Sequence, residues 1–282
     1  MAAVEEPIRF KGSYPPGSEW RYLSNLTDRE FSAQLAGLVP TRSRFGSVEA
    51  LYQGLKFTAT SEFAEGGLLA GKTGIETMVA SDKPKYRNVW ERYKDTGFAG
   101  GHIAMAISRE NYAPSVHART AGLRERLRKQ SPRLAGFMRR RQSYNDYDDR
   151  YDRGLTLLGC QLLMYAQNAG ARRLLLQTGE APLEEWAQPG TSADFWSVTP
   201  DGTSGQNANG KNLVVVRRLL RECGGPLPSV IFLGGRRLEA FAVALLDSLR
   251  PAITGEVEGS AWSAEGCGTY NEVLDAVVAA MW

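Results

Sequence analysis

One amphipathic stretch, residues 46–60, constrains the fold of this chain more than any other. It reads Gly-Ser-Val-Glu-Ala-Leu-Tyr-Gln-Gly-Leu-Lys-Phe-Thr-Ala-Thr. Helical periodicity places Val48, Leu51 and Leu55 on one apolar face, which predicts a helix over 46–60. Ser47 has the side chain and the position of an N-cap residue.

A polar stripe accompanies that apolar face. Glu49, Gln53, Lys56 and Thr60 follow one another at helical spacing. The third face carries small residues, among them Gly54, and a glycine in mid-helix costs about 1 kcal/mol relative to alanine. Such a face lets a neighbouring element approach closely, so we expect a helix packed on two sides with its polar stripe in a cleft. The alternative is a surface helix whose charged residues are solvated.

The same stretch carries a family resemblance. Residues 47–57, S-V-E-x-x-Y-Q-x-x-K-F, resemble the signature helix of the NADAR (YbiA-like) family, S-x-E-H-Y-F-Q-A-x-K-F, with Ala50 in place of the histidine. Further similar segments are Tyr22-Leu-Ser-Asn-Leu26, Leu174-Leu-Leu-Gln-Thr-Gly179, Pro182-Leu-Glu-Glu185, Asp194-Phe-Trp196, Gly205, Asn207, Asn212-Leu and Arg217. Two departures are Ser197, where the family has glycine, and Met164-Tyr165, where it has Lys-Phe.

The resemblance implies an α+β, predominantly helical YbiA-like core over residues 1–222. Residues 97–148 interrupt the matched segments and are interpreted as a basic insertion. Beyond a Gly-Gly-Pro-Leu-Pro stretch, residues 223–282 are predicted to form a small α/β C-terminal extension. Its expected elements are a buried strand at 230–233 and a helix that follows the Gly234-Gly235 turn.

Composition excludes several classes of protein. The chain has 282 residues, of which 43% are hydrophobic and 23% charged, as in globular domains. No apolar run approaches the roughly 20 residues that a membrane span needs, and the N-terminus lacks a signal-peptide pattern. Three widely spaced cysteines and two histidines indicate neither a disulfide framework nor a metal site. We therefore expect a cytoplasmic or nuclear protein without a metal or cofactor.

The modest net charge hides a strong asymmetry. Between Arg119 and Arg141 there are nine Arg and Lys against one acid, which gives +8 and leaves about −5 for the rest of a chain whose total is +3. This segment is interpreted as a phosphate-tracking surface, with the tyrosines at 144, 147 and 151 available to stack on exposed bases. The alternative is a solvent-exposed insertion whose basic half is neutralised by the aspartates that follow it.

The resemblance also implies a chemistry. It points to recognition of NAD- or ADP-ribose-related molecules and, in enzymatic members, to cleavage of N-glycosidic bonds. Breaking a ribose C1–N bond requires a proton at the leaving nitrogen or the ring oxygen. Glu49 can supply that proton if a partly dry pocket raises its pKa. Lys56 can pair with Glu49, or its neutral amine can attack an opened sugar as a Schiff-base nucleophile.

The predicted catalytic residues are thus Glu49 and Lys56. The predicted substrate-binding residues are Ser24, Asn25, Gln53, Lys72, Trp90, Asp152, Asp194, Trp196 and Asn212. Three of them have a simpler interpretation: Lys72 as a solvated lysine, Trp90 as a core aromatic residue, and Asp152 as a helix cap.

Three functions follow from these observations. The favoured one is an ADP-ribosyl N-glycosidase that removes ADP-ribose from guanine bases of nucleic acid. The second is an N-glycosidase for phosphoribosyl-aminopyrimidine intermediates of riboflavin synthesis, and the third is a non-catalytic NAD or ADP-ribose binding module. The basic segment favours the first over the second, because a small metabolite does not need such a surface. The expected partners are an ADP-ribosylated nucleobase or nucleic acid, with ADP-ribose as product and no membrane.

Overall fold

The computed structural model describes residues 6–12, 17–35, 39–56, 60–67, 70, 84–112, 150–187 and 195–222. Within them the helices are α1 (Val48–Gly54), α2 (Pro84–Tyr93), α3 (Ala99–Tyr112), α4 (Arg150–Gln167), α5 (Ala169–Gln177) and α6 (Ala208–Glu222). The strands are β1 (Ile8–Phe10), β2 (Phe31–Leu35), β3 (Val39–Phe45) and β4 (Leu183–Glu185), and two 3₁₀ helices span Glu19–Leu23 and Thr60–Phe63. The described part is therefore mixed α/β, with helices and two small sheets.

The chain divides into two compact units. The central unit is Asn25–Asp146, and the terminal unit combines Met1–Ser24 with Tyr147–Trp282. Several predicted features lie outside the described residues: Lys72, Asp194, the basic segment 119–141 and the extension 223–282.

In its described residues, the central unit contains a β-hairpin and three helices. Strands β2 and β3 pair antiparallel, with Phe31 opposite Phe45, and both rings are buried with their centroids 6.4 Å apart. Helix α1 packs against α3, β3 and the 3₁₀ helix Thr60–Phe63, and α2 packs against α3. Helix α1 is therefore covered by several elements, as its small-residue face predicts.

Helix α1 begins as the sequence predicts but ends earlier. Ser47 is its N-cap, and the Ser47 Oγ accepts a hydrogen bond from the backbone N–H of Ala50 at 3.1 Å. The predicted apolar face is confirmed, because Val48, Leu51 and Leu55 are each at most 2% exposed.

The early end of α1 corrects the predicted range of 46–60. The α-helix stops at Gly54, and Thr60, the last residue of the stretch, begins the 3₁₀ helix Thr60–Phe63. A Cβ atom on Gly54 would stand 3.2 Å from the Phe63 side chain, so this glycine is where the two helices make close contact. Periodicity alone does not show this break, because the apolar spacing continues across it.

Part of the predicted insertion is a packed helix. Helix α3, Ala99–Tyr112, falls inside residues 97–148, and its Ile103 and Ile107 are each 1% exposed. Because α3 packs against both α1 and α2, this portion contributes to the core of the central unit.

No helix among the described residues combines the length and apolar character that crossing a membrane requires.

In the terminal unit, a strand from the N-terminal part of the chain pairs with a strand from the later part. Strand β1 pairs in parallel with β4, so that Ile8 lies opposite Leu183 and Phe10 opposite Glu185. Helix α6 packs against α4, α5 and β4, and α5 contacts the 3₁₀ helix Glu19–Leu23.

Helix α6 starts earlier than its hydrophobic pattern indicates. The pattern predicts a start at Val214 after a loop over 187–212, whereas the helix begins at Ala208. The preceding Asn207 has a φ of 54°, and its side chain accepts from the Glu185 N–H at 3.1 Å and donates to the Leu183 carbonyl at 2.8 Å. A Cβ on Gly210 would collide with the same carbonyl, so the polar, glycine-containing first turn is what allows α6 to approach β4.

Candidate functional site

The candidate site is built around the first turn of α1. Its Glu49 backbone N–H donates to the carbonyl oxygen of Asn25 at 3.0 Å. The first amides of a helix have no partner within the helix, so the incoming chain segment at Asn25 satisfies one of them. Asn25 is itself buried, at 8% exposure. Two segments that resemble the NADAR family in sequence are therefore in direct contact.

The segment that follows Asn25 is fixed on its other side by α3. Asp28 accepts hydrogen bonds from the backbone N–H groups of Ala99 and Gly100, each at 2.9 Å. A Cβ on Gly101 would stand 2.5 Å from the Leu26 Cα, so only glycine permits this approach. The sequence interpretation missed this connection, and the Gly100-Gly101 pair was its only signal.

Asp28 is electrostatically unusual. Loss of hydration against the start of α3 raises the pKa of its carboxyl above the ordinary 3.8, although backbone N–H groups of Gly100, Ala99 and Gly101 act in the opposite direction. The residue as a whole is exposed, but the carboxyl group faces the helix start. Loss of hydration thus favours the protonated carboxyl more than the backbone N–H groups favour the ionised form.

Glu49 and Gln53 form a side-chain pair one helical turn apart. The Gln53 Nε2 donates to the Glu49 Oε1 at 2.5 Å. Glu49 is half-buried, whereas Gln53 is only 6% exposed. The Gln53 Oε1 has no hydrogen-bond donor in the described part of the chain. The glutamine therefore orients one carboxylate oxygen and presents a buried acceptor of its own.

Lys56 is buried just beyond the end of α1. It is 2% exposed, its backbone N–H donates to the Gln53 carbonyl at 3.2 Å, and its Nζ lies 4.6 Å from the centroid of the Tyr52 ring. That distance is within the range of a cation–π contact. Tyr52 was not among the predicted site residues, although its i,i+4 spacing to Lys56 was an available signal. Burial of a lysine favours its neutral, nucleophilic amine, whereas contact with the face of an aromatic ring favours the charged ammonium.

The central unit therefore brings together four of the predicted site residues, Asn25, Glu49, Gln53 and Lys56. Trp90 also belongs to this unit, in α2, and is half-buried.

Four other predicted residues are placed in the terminal unit. Ser24 is 4% exposed at the end of the 3₁₀ helix Glu19–Leu23, and Asn212 is 1% exposed within α6. Trp196 is half-buried and meets Phe195 edge-on, with centroids 4.7 Å apart and planes at 79°. Asp152 lies inside α4, two residues after its start, rather than at a cap as the simpler interpretation proposed.

Two buried polar groupings stabilise the terminal unit, and both involve the matched segments. The Arg217 Nη1 donates to the Thr178 Oγ1 and to the Ala181 carbonyl, each at 2.8 Å. This guanidinium joins α6 to the end of α5, which makes it structural.

The second grouping was missed in the sequence interpretation. Gln161 Nε2 donates to Asn209 Oδ1 at 2.6 Å, and Asn209 Nδ2 donates to Glu185 Oε2 at 3.1 Å. Gln161 and Asn209 are fully buried. This chain of two amides and one carboxylate links α4, α6 and β4, and no sequence spacing connects its three members.

Comparisons of this chain with protein-family models, with curated proteins and with solved structures found no match. The NADAR resemblance therefore stays a prediction that rests on the motifs themselves. In the part of the chain that the structure describes, His, Cys, Asp and Glu side chains form no group of three that could hold a metal ion.

Proposed function

We propose that this chain is an N-glycosidase that cleaves a ribose C1–N bond and releases ADP-ribose from ADP-ribosylated guanine in nucleic acid. The observation that carries the proposal is the arrangement on α1: a half-buried carboxylate oriented by Gln53, with a buried lysine beyond the helix end. The resemblance of this helix to the NADAR signature supplies the substrate class.

In this proposal Glu49 is the general acid. The Gln53 Nε2 donates to its Oε1, and its carboxyl group is the proposed donor of the proton to the ring oxygen or to the leaving nitrogen. The contact of its backbone N–H with Asn25 fixes the turn that carries it. A helix N-terminus stabilises the carboxylate that remains after proton donation.

Lys56 is the covalent partner in the same proposal. Protonation of the ring oxygen opens the ribose and leaves an imine between C1 and the base nitrogen. The neutral Lys56 amine adds to C1, and the base departs as its amine while a lysine imine forms. Water then hydrolyses that imine, which restores the free amine and releases ADP-ribose as the aldehyde that recloses. If Lys56 serves instead as a cationic partner of Glu49, water attacks C1 directly.

Nucleic acid is proposed as the carrier of the modified base because of the basic segment. Residues 119–141 carry a net +8, and each phosphate neutralised by Arg or Lys releases a counterion. A riboflavin-pathway nucleotide has too few phosphates to use such a segment. The segment lies outside the described residues, so this step rests on sequence alone.

A substrate panel tests the proposal. Purified protein is offered an ADP-ribosylated guanine oligonucleotide, a phosphoribosyl-aminopyrimidine and free NAD, and the products are identified by mass spectrometry. We expect ADP-ribose and unmodified oligonucleotide from the first substrate, at a kcat/KM well above that for the other two. Preferential turnover of the aminopyrimidine would assign the riboflavin-pathway activity instead. Binding of ADP-ribose without turnover of any substrate would assign a binding module.

A further inference from the structure

Gln53 is a buried polar side chain of the proposed site, and one of its polar atoms makes no hydrogen bond within the described residues. It is 6% exposed, its Nε2 is engaged by Glu49, and its Oε1 has no donor among the described residues. An amide oxygen that is buried without a donor loses its hydration and gains no hydrogen bond in return, which is unfavourable. A group that enters the site and donates to this oxygen would remove that penalty.

The orientation of the amide follows from its neighbour. The NH₂ end of Gln53 faces the Glu49 Oε1, which accepts whether the carboxyl is ionised or carries its proton on the other oxygen, so the amide oxygen faces away from it. The missing partner is therefore a donor. Phosphate oxygens of a ligand are acceptors and are excluded, which leaves a hydroxyl or an N–H group.

We propose that Gln53 is a specificity and positioning residue whose amide orients Glu49 and whose oxygen accepts from the ribose hydroxyl adjacent to the scissile C1. The proposal rests on the function proposed for α1. It follows from the position of Gln53 beside the acid that acts at C1, because the hydroxyl on the neighbouring carbon is the sugar donor closest to that bond. Hydrogen bonds to this hydroxyl strengthen as C1 becomes electron-poor.

The experiment is a thermodynamic cycle that combines one substitution in the protein with the removal of one hydroxyl from the ligand. Binding of ADP-ribose and of its analogue that lacks this hydroxyl is measured by calorimetry for the wild type and for Gln53→Met. The kcat/KM of the matching ADP-ribosyl-guanosine substrates is measured in parallel. We expect the wild type to prefer the hydroxylated ligand by roughly 5- to 150-fold, the effect of leaving one buried acceptor unpaired. In Gln53→Met the preference should fall to about one, because the acceptor is gone.

Two further variants separate this role from a structural one. Gln161→Met removes another buried amide that donates to a side chain, in the terminal unit, and should keep the full preference. Gln53→Glu retains an acceptor oxygen but loses the N–H donor, so it should keep the preference for the hydroxyl while kcat falls. Should Gln53→Met fail to fold, Gln53→Glu still decides, because loss of the preference in that variant contradicts the proposal.

The possible outcomes separate a failure of the role proposed for Gln53 from a failure of the proposed N-glycosidase function. A wild type that cleaves the substrate but shows no preference for the hydroxyl, or a Gln53→Met variant that keeps the preference, overturns only the role of Gln53. A wild type that neither binds ADP-ribose nor cleaves the substrate overturns both.

Discussion

At the scale of single residues, Lys56 is the position at which a covalent mechanism can be distinguished from an electrostatic one. Its side chain is 2% exposed and its Nζ lies 4.6 Å from the Tyr52 ring centroid. Both a lysine and an arginine side chain can carry a positive charge at this position, but only the lysine amine can lose its proton and bond to carbon. Substitution between the two cations therefore separates a covalent role from an electrostatic one.

We expect borohydride added during turnover to trap a sugar adduct on Lys56 as a stable amine, seen by peptide mass spectrometry. Lys56→Arg should abolish both trapping and turnover, because a guanidinium is not deprotonated in proteins. The matched control is Lys94→Arg, at a lysine that pairs with Glu91 at 2.7 Å and is 42% exposed. That variant should keep trapping at Lys56. An active Lys56→Arg enzyme would show that the lysine acts only through its charge.

The residues that sequence analysis identified correctly are those governed by local physics. Ser47 caps α1 because its hydroxyl reaches a backbone N–H three residues on. Val48 and Leu51 are buried because helical periodicity alone decides which face is apolar. The contact of the Lys56 amine with Tyr52 follows the same i,i+4 geometry and was open to prediction.

At the scale of elements, the start of α3 depends on a cap from a distant part of the chain. Asp28 accepts from the Ala99 and Gly100 N–H groups across 71 and 72 residues of sequence. Replacing it by alanine leaves two helix amides without this partner. We expect Asp28→Ala to lower the free energy of unfolding by about 1 kcal/mol, measured by urea denaturation at neutral pH.

Asp28→Asn tests the charge of the same cap. Asparagine caps a helix about as well as aspartate but has no charge to desolvate. Because burial raises the pKa of Asp28 above 3.8, the folded state holds this proton more tightly than the unfolded state. The stabilisation from that proton is complete below 3.8 and is lost as pH rises through the folded pKa.

The wild type should therefore lose stability relative to Asp28→Asn as pH rises through this window. Unfolding free energies of the two proteins, measured side by side from acidic to neutral pH, provide the check. A wild type that gains on Asp28→Asn with rising pH would mean that the backbone N–H groups dominate over burial.

Element boundaries were the least predictable part of the fold, for physical reasons that lie outside local sequence. Helix α1 ends at Gly54, where the close contact with Phe63 belongs to tertiary packing. Helix α6 starts at Ala208 because Asn207 and Gly210 accommodate the backbone of β4. In both cases the hydrophobic pattern reports which face is buried but not where a neighbouring backbone interrupts the helix.

At the scale of the whole molecule, charge rather than fold is expected to select the substrate. Neutralising Arg139, Arg140 and Arg141 should weaken binding of a long modified oligonucleotide and reduce its salt slope by up to about 2, at roughly 0.7 per phosphate contact. Turnover of ADP-ribosyl-guanosine should be nearly unchanged. Fluorescence anisotropy over a range of salt concentrations measures the first effect and product release the second. Equal losses on both substrates would indicate a structural role for these arginines.

The whole-molecule organisation could be predicted only in part. The resemblance implies a predominantly helical α+β core, and the described residues form mixed α/β structure with helices and two small sheets. The division between Asn25–Asp146 and the rest of the chain was not foreseen, because the pairing of β1 with β4 joins segments about 175 residues apart. Strand pairs of three residues leave too short a pattern for sequence to specify a partner.

The central claim is that α1 carries the chemistry, and Glu49→Gln tests it most directly. This change keeps the shape of the side chain and removes the titrating group. The measurement is the single-turnover rate of ADP-ribose release from an ADP-ribosylated guanine oligonucleotide, with ADP-ribose affinity measured on the same protein. Glu91→Gln, at a half-exposed residue paired with Lys94, is the matched control. We expect Glu49→Gln to lower the rate roughly 10²- to 10⁴-fold with affinity retained, and the control to react like the wild type. Release by Glu49→Gln at the wild-type rate would contradict the account.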